Sequence, residues 1–151
     1  MTTAVLDAVM QVMDKAFDPV FGEAWTRRQI ADALARPNTF CLLGRAPDGD
    51  GDAHGFALSR QVVDEEELLL IAVVPAYRGK GVGTRMLEEL RRAAIERGTA
   101  RLFLEMRDGN PAQPFYENFG FSQIGRRPAY YRSAAYGPID ALTFAIDLKP
   151  V

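Results

Sequence analysis

Leu68-Leu69-Leu70-Ile71-Ala72-Val73-Val74-Pro75-Ala76-Tyr77-Arg78-Gly79-Lys80-Gly81-Val82-Gly83-Thr84 is the stretch from which the rest of the chain can be read. Its first seven residues form an unbroken apolar run with the length of a strand covered on both faces. Pro75 ends that run, and the glycine-rich segment then opens a helical pattern with Met86, Leu87, Leu90 and Ala94 on one side and Gly98 placed to stop it. Arg101 to Met106 supplies the next strand. A strand, a helix and a strand joined in this way form a crossover whose two strands are expected to run parallel.

Upstream, Val5, Leu6, Val9, Val12, Met13 and Phe17 recur at helical spacing, and Trp25 to Ala35 repeats the pattern with Ile30 and Leu34 before Pro37 closes it. Thr39 to Arg45 and Gly55 to Val63 read as a hairpin across the turn-forming Pro47-Asp48-Gly49-Asp50-Gly51-Asp52. Downstream come a short helix at Phe115 to Asn118 and closing strands at Gly120 to Gly125 and Ala141 to Leu148, with Tyr130-Tyr131 in the stretch between them. The expected fold is α/β (α+β): three layers, with a mixed central sheet of six or seven strands and helices on both faces.

The 151 residues suit one domain spanning the chain. With 48% apolar and 25% charged residues, composition argues for a packed globule rather than disorder. A net charge of -2 offers no general attraction to polyphosphate backbones, so no nucleic-acid partner is expected. One cysteine, Cys41, excludes an internal disulfide, and no Cys/His spacing suggests a zinc site, so no metal is expected. No apolar run approaches a membrane span and no signal peptide is visible; the expectation is a cytoplasmic protein, monomeric or homodimeric.

The segment Arg78-Gly79-Lys80-Gly81-Val82-Gly83 stands where the first N–H groups of a helix lack internal partners. Glycines let the backbone approach a phosphate at positive φ, the helix dipole favours negative charge, and Arg78 and Lys80 add cations. Glycines at 79, 81 and 83 do not fit the Rossmann spacing, and Gly79-Lys80 is followed by Gly81 where a P-loop needs Ser or Thr. The remaining well-known use of R-x-x-G-x-G after a strand is coenzyme A binding, the plain alternative being a glycine-rich strand–helix turn that holds no ligand.

This arrangement resembles motif A of the Gcn5-related N-acetyltransferase (GNAT) superfamily. The likeness continues through Leu104-Glu105-Met106-Arg107, Phe115-Tyr116-Glu117-Asn118-Phe119-Gly120-Phe121, Gly125-Arg126-Arg127-Pro128-Ala129-Tyr130-Tyr131 and Asp140-Ala141-Leu142, which resemble the ribosomal-protein alanine N-acetyltransferases. The resemblance implies that Ile71, Ala72 and Val73 present backbone groups to the acetyl and pantetheine part of acetyl-CoA, while Arg78, Gly79, Lys80, Gly81, Val82, Gly83 and Thr84 hold its pyrophosphate. It implies Glu105 as general base, directly or through water, and Tyr116 as the acid that protonates the leaving thiolate. It implies a protein N-terminus as acceptor, a ribosomal protein being the family's case. Taken as isolated residue types, Glu105 also suits a salt-bridged strand carboxylate, and Tyr116 suits half-buried packing.

One departure stands out. The family usually places Asn seven residues before this Tyr, whereas Asn110 stands six before Tyr116. Either Asn110 reaches the cofactor from a shifted loop, or Gly109 takes its place. For the acceptor, the segments flanking the peptide groove in such enzymes offer Phe21, Trp25, Tyr130, Tyr131 and Arg132; Trp25 serves equally as a core anchor. Cys41 reads as a buried small hydrophobe without a partner base, His54 as solvated, and Asp64-Glu65-Glu66-Glu67 as an exposed strand entrance. Two other functions fit the same cofactor half: acetylation of a small amine, polyamine or lysine, and a catalytically silent coenzyme A sensor.

Overall fold

In the computed structural model, residues 3–17, 24–132 and 137–149 are described. Phe21, an expected acceptor residue, lies outside them. The elements are α1 (Thr3–Ala16), α2 (Arg27–Leu34), β1 (Thr39–Gly44), β2 (Gly55–Val62), β3 (Glu65–Val73), α3 (Val82–Glu96), β4 (Arg101–Arg107), α4 (Gln113–Phe119), β5 (Ser122–Tyr131) and β6 (Ile139–Asp147). They build a six-stranded sheet in the order β1-β2-β3-β4-β6-β5. Only β3 and β4 run parallel, which the α3 crossover requires.

Two apolar clusters cover opposite faces of β2. Phe56 and Leu58 pack with Val9, Val12 and Met13 of α1 and Ile30 of α2. Ala57, between them in sequence, packs with Leu87, Leu90 and Ala94 of α3 and with Tyr116 of α4, as strand alternation demands. The three expected layers are thus present. Helix α2 starts at a capping box in which the Thr26 hydroxyl accepts from Gln29 N–H and the Gln29 side chain accepts from Thr26 N–H.

Three expectations need correction. His54 is 2% exposed, not solvated. Its Nδ1 accepts from Ala46 N–H at 2.9 Å, its Nε2 bonds Asp50 Oδ1 at 2.7 Å, and its ring stacks on Tyr77 at 3.7 Å, so the polar turn folds over the imidazole and uses it as an internal post. The bond to His54, with a smaller contribution from Asp52 N–H, holds the Asp50 carboxyl below its usual range. The acidic run is not uniformly exposed either: Glu66 is fully buried, because strand alternation turns it toward the α3 side, where Arg97 meets it. Finally, Tyr130 and Tyr131 are not in a connecting loop, since β5 continues through Tyr131. Cys41 is partly buried, and burial pushes its thiol up to about 11, which leaves little thiolate near neutral pH.

Candidate functional site

The site originates in a defect of the sheet. In the β2–β3 ladder Leu58 faces Leu70 and Ser59 faces Leu68, so Leu69 is an extra residue on β3. A bulge of this kind bends its strand. The β3–β4 ladder ends just before it: Glu65, Glu66 and Glu67 pair with Arg101, Leu102 and Phe103, and the described residues carry the ladder no further. Beyond that point the two strands border a cleft of about 960 Å³, lined by Leu68 to Val73 on one side and by Leu104 to Arg107 on the other. Backbone groups of β3 that would have met β4 therefore face the cleft, where an extended ligand can hydrogen-bond to them.

The glycine-rich segment closes one end of this cleft. Gly79 and Gly81 have φ of 78° and 82°, in the left-handed region that glycine enters freely. Gly81 is the N-cap of the 15-residue α3, and no side chain caps that end, so the first N–H groups of the helix are left for an anion to meet. Gly83 belongs to the helix itself; a Cβ there would lie 3.0 Å from Phe115 Cζ, so its bareness lets α4 close against the cradle. Positive φ at two glycines and an uncapped helix start thus come together in one short segment.

The two cations of the segment make contacts within the fold. The Arg78 guanidinium turns back, donating from Nε to Val73 O at 3.0 Å and from Nη2 to Ala16 O at 2.8 Å. It clamps the end of α1 to the end of β3. Lys80 lies over the Tyr77 ring, 5.3 Å from its centroid, and is not among the cleft-lining residues. Ile71, Ala72, Val73, Arg78, Gly79, Gly81, Val82, Gly83, Thr84 and Asn110 all line the cleft. Asn110, rather than Gly109, holds the wall; its Oδ1 accepts from Ala112 N–H at 2.9 Å and so ties it to the start of α4.

Glu105 and Tyr116 line the same cleft despite the shortened connection between them. The Glu105 side chain is 24% exposed, with Arg127 Nε 3.9 Å from its Oε2. That distance is an ion-pair contact outside hydrogen-bond range, which leaves the carboxylate near a cation but not tied to it. Tyr116 is buried, edge-on to Phe121 and tilted against Phe115. Trp25 does both things allowed for it, packing on the α1–α2 core and lining the cleft. Tyr131 also lines the cleft, whereas Tyr130 points to solvent at 52% exposure, outside it. The sequence reading missed Phe17, Tyr77, Arg107 and Phe115 as lining residues. Three of these stood within the quoted motif stretches, which was the available signal; Phe17 follows Ala16, which is 62 residues from its partner Arg78, and carried none.

The Acetyltransferase (GNAT) family model matches residues 6–121. Among curated proteins, the [ribosomal protein bS18]-alanine N-acetyltransferase of Haemophilus influenzae is 37% identical over 94 residues, covering 62% of this chain and 64% of that protein, just under two-thirds of its length. The Escherichia coli K12 protein of the same name is 37% identical over 101 residues, covering 66% of this chain and 68% of that protein. The crystal structure of the Escherichia coli ribosomal-protein-S18-alanine N-acetyltransferase superposes with a TM-score of 0.84 at 28% identity, covering 100% of this chain and 92% of that one.

Proposed function

The chain belongs to the acetyltransferase (GNAT) family, and on that premise we propose that it moves acetyl from acetyl-CoA to the α-amine at the N-terminus of a protein, with a ribosomal protein as acceptor. The observation that carries this reading is the parted β3–β4 pair, which offers free strand backbone, a glycine cradle, a carboxylate and a phenol to one cleft. The names of the relatives support the acceptor class. We place the enzyme in the cytoplasm, acting as one domain.

In the proposed reaction the pyrophosphate rests on the N–H groups at the start of α3, and the pantetheine arm lies along Ile71 to Val73 as an added strand. The acceptor arrives as an ammonium and must lose a proton before it can attack. Glu105 takes that proton, directly or through water. The neutral amine nitrogen then bonds to the thioester carbonyl carbon, the carbon–sulfur bond breaks as the nitrogen gives its second proton to solvent, and the thiolate takes a proton from the Tyr116 phenol, which solvent restores. Both substrates are bound when this happens, and Cys41, with its thiol held protonated, takes no acetyl group.

Release of coenzyme A thiol from acetyl-CoA tests the reading against a panel of acceptors. The expected result is turnover with peptides that begin with a free alanine and none with N-terminally blocked peptides containing lysine. Turnover confined to polyamines or other small amines would replace the acceptor, and calorimetric binding of acetyl-CoA without turnover on any acceptor would replace the enzyme with a silent binder.

A further inference from the structure

The β5–β6 ladder is uneven near the cleft. Arg127 stands opposite Ala141 and Tyr131 opposite Ile139, so Pro128, Ala129 and Tyr130 share the single position opposite Asp140. Asp140 holds this bulge with its side chain. Its Oδ1 accepts from Ala129 N–H at 2.8 Å, and its Oδ2 accepts from Arg126 Nη1 at 2.6 Å. The same Arg126 nitrogen donates to Asp108 Oδ2 at 3.1 Å, and Asp108 N–H donates to Asp140 O at 2.8 Å, which ties the bulge to the end of β4.

Ala129 has φ of 53°, in the left-handed region where an alanine sits only at a cost. Its carbonyl accepts from Arg132 Nε at 3.1 Å, so both its backbone groups are engaged. Backbone strain and bulges of this kind recur where a strand must re-aim a side chain. Here β5 carries two more residues than β6, Tyr130 faces solvent, and Tyr131 lines the cleft. Asp140 does not itself line the cleft.

We infer that Asp140 is a positioning residue for acceptor recognition: its carboxylate fixes the 128–130 bulge and thereby seats Tyr131 in the cleft that Trp25 and Glu105 also line. The inference rests on the proposed reading, in that Tyr131 is taken to touch the incoming N-terminal segment.

Asp140→Ala is expected to raise KM for an alanine-initiated peptide about tenfold, the scale of one charge-assisted hydrogen bond, and to leave the acetyl-CoA Kd unchanged. Adding Ala129→Gly to that variant returns KM toward the wild-type value, because glycine takes the left-handed conformation without help. A role in hairpin stability alone would lower the Tm and leave KM where it was, and that result overturns the inference. If Asp140→Ala does not fold, Asp140→Asn, which keeps an oxygen for Ala129 N–H, carries the test with a smaller rise in KM, and an unchanged KM overturns it. A second readout does not depend on turnover: amide exchange at residues 129–131 is expected to accelerate in the variant. Unaltered exchange there contradicts the inference even if the wild-type protein acetylates no peptide, an outcome that by itself would count against the proposed function.

Discussion

The parallel pair β3 and β4 is tied at one end and parted at the other, and the two ends use their side chains in opposite ways. At the tied end Glu66, fully buried, receives Arg97 through both oxygens, at 2.9 Å and 2.6 Å, along with the hydroxyls of Ser59 at 2.6 Å and Thr99 at 3.0 Å. Gln61 extends the network to Thr99 and to Arg97 O, and the Arg97 guanidinium lies 3.7 Å over the Phe40 ring. Every oxygen of that carboxylate is committed within the fold. At the parted end, among the described residues, Glu105 has the 3.9 Å approach of Arg127 as its ion pair, and one edge of the β3 backbone is not paired with β4. Two glutamates on neighbouring strands thus differ: the satisfied one ties α3 to the sheet, and the loosely held one has the freedom that the proposed proton transfer asks of it.

If that division is right, Glu105→Gln should have the largest effect. It removes the proposed proton acceptor and is expected to lower kcat by about 10²- to 10⁴-fold, with the acetyl-CoA Kd unchanged by calorimetry. Wild-type turnover near neutral pH would take Glu105 out of the chemistry. The tied end should respond in stability instead. Glu66→Ala leaves Arg97 without its buried partner and is expected to cost about 3 kcal/mol in urea unfolding, the lower end of the range for such pairs because Arg97 is partly exposed. A loss near zero would mean that the network anchors nothing.

Between these extremes lies the cradle. Gly81→Val puts a β-branched residue at φ 82°, a strain of about 1–2 kcal/mol, and should weaken acetyl-CoA binding roughly tenfold. An unaltered Kd would separate the glycine loop from the cofactor. The smallest effect concerns acid. Burial raises the Glu66 carboxyl, but the bonds from Arg97 and Ser59 outweigh it and hold the group below the usual glutamate range. The unfolded chain then binds that proton more readily, so this stabilisation is present at neutral pH and is lost as pH falls through the glutamate range toward the folded value. Unfolding curves from pH 7 to pH 3 should show part of the acid slope missing in Glu66→Gln, and identical slopes would assign it to other groups.

The sheet, its helices and the glycine loop were legible in the sequence because each rests on local periodicity or on backbone demands that glycine alone meets. The residues misread were those whose surroundings come from distant segments. Glu66 reads as one of four consecutive acids, and only its register opposite Gln61, together with the α3 end at Arg97, buries it. His54 sits in a run of turn formers, yet Tyr77 lies across its ring. Arg78 lines the cleft as its motif position suggests, and what no local pattern announced is that its side chain also reaches Val73 and Ala16. Tyr131 changes from loop to strand because Asp140, nine residues on, absorbs the irregularity into a bulge.

The most direct test of the division between the two ends is amide hydrogen exchange with and without acetyl-CoA. Protection gained on binding is expected at residues 69–73 and 79–84, with the amides around Glu66, Arg97 and Thr99 unchanged. Protection absent from the parted end, or spread equally over both ends, would contradict the assignment of the cofactor to the gap between β3 and β4.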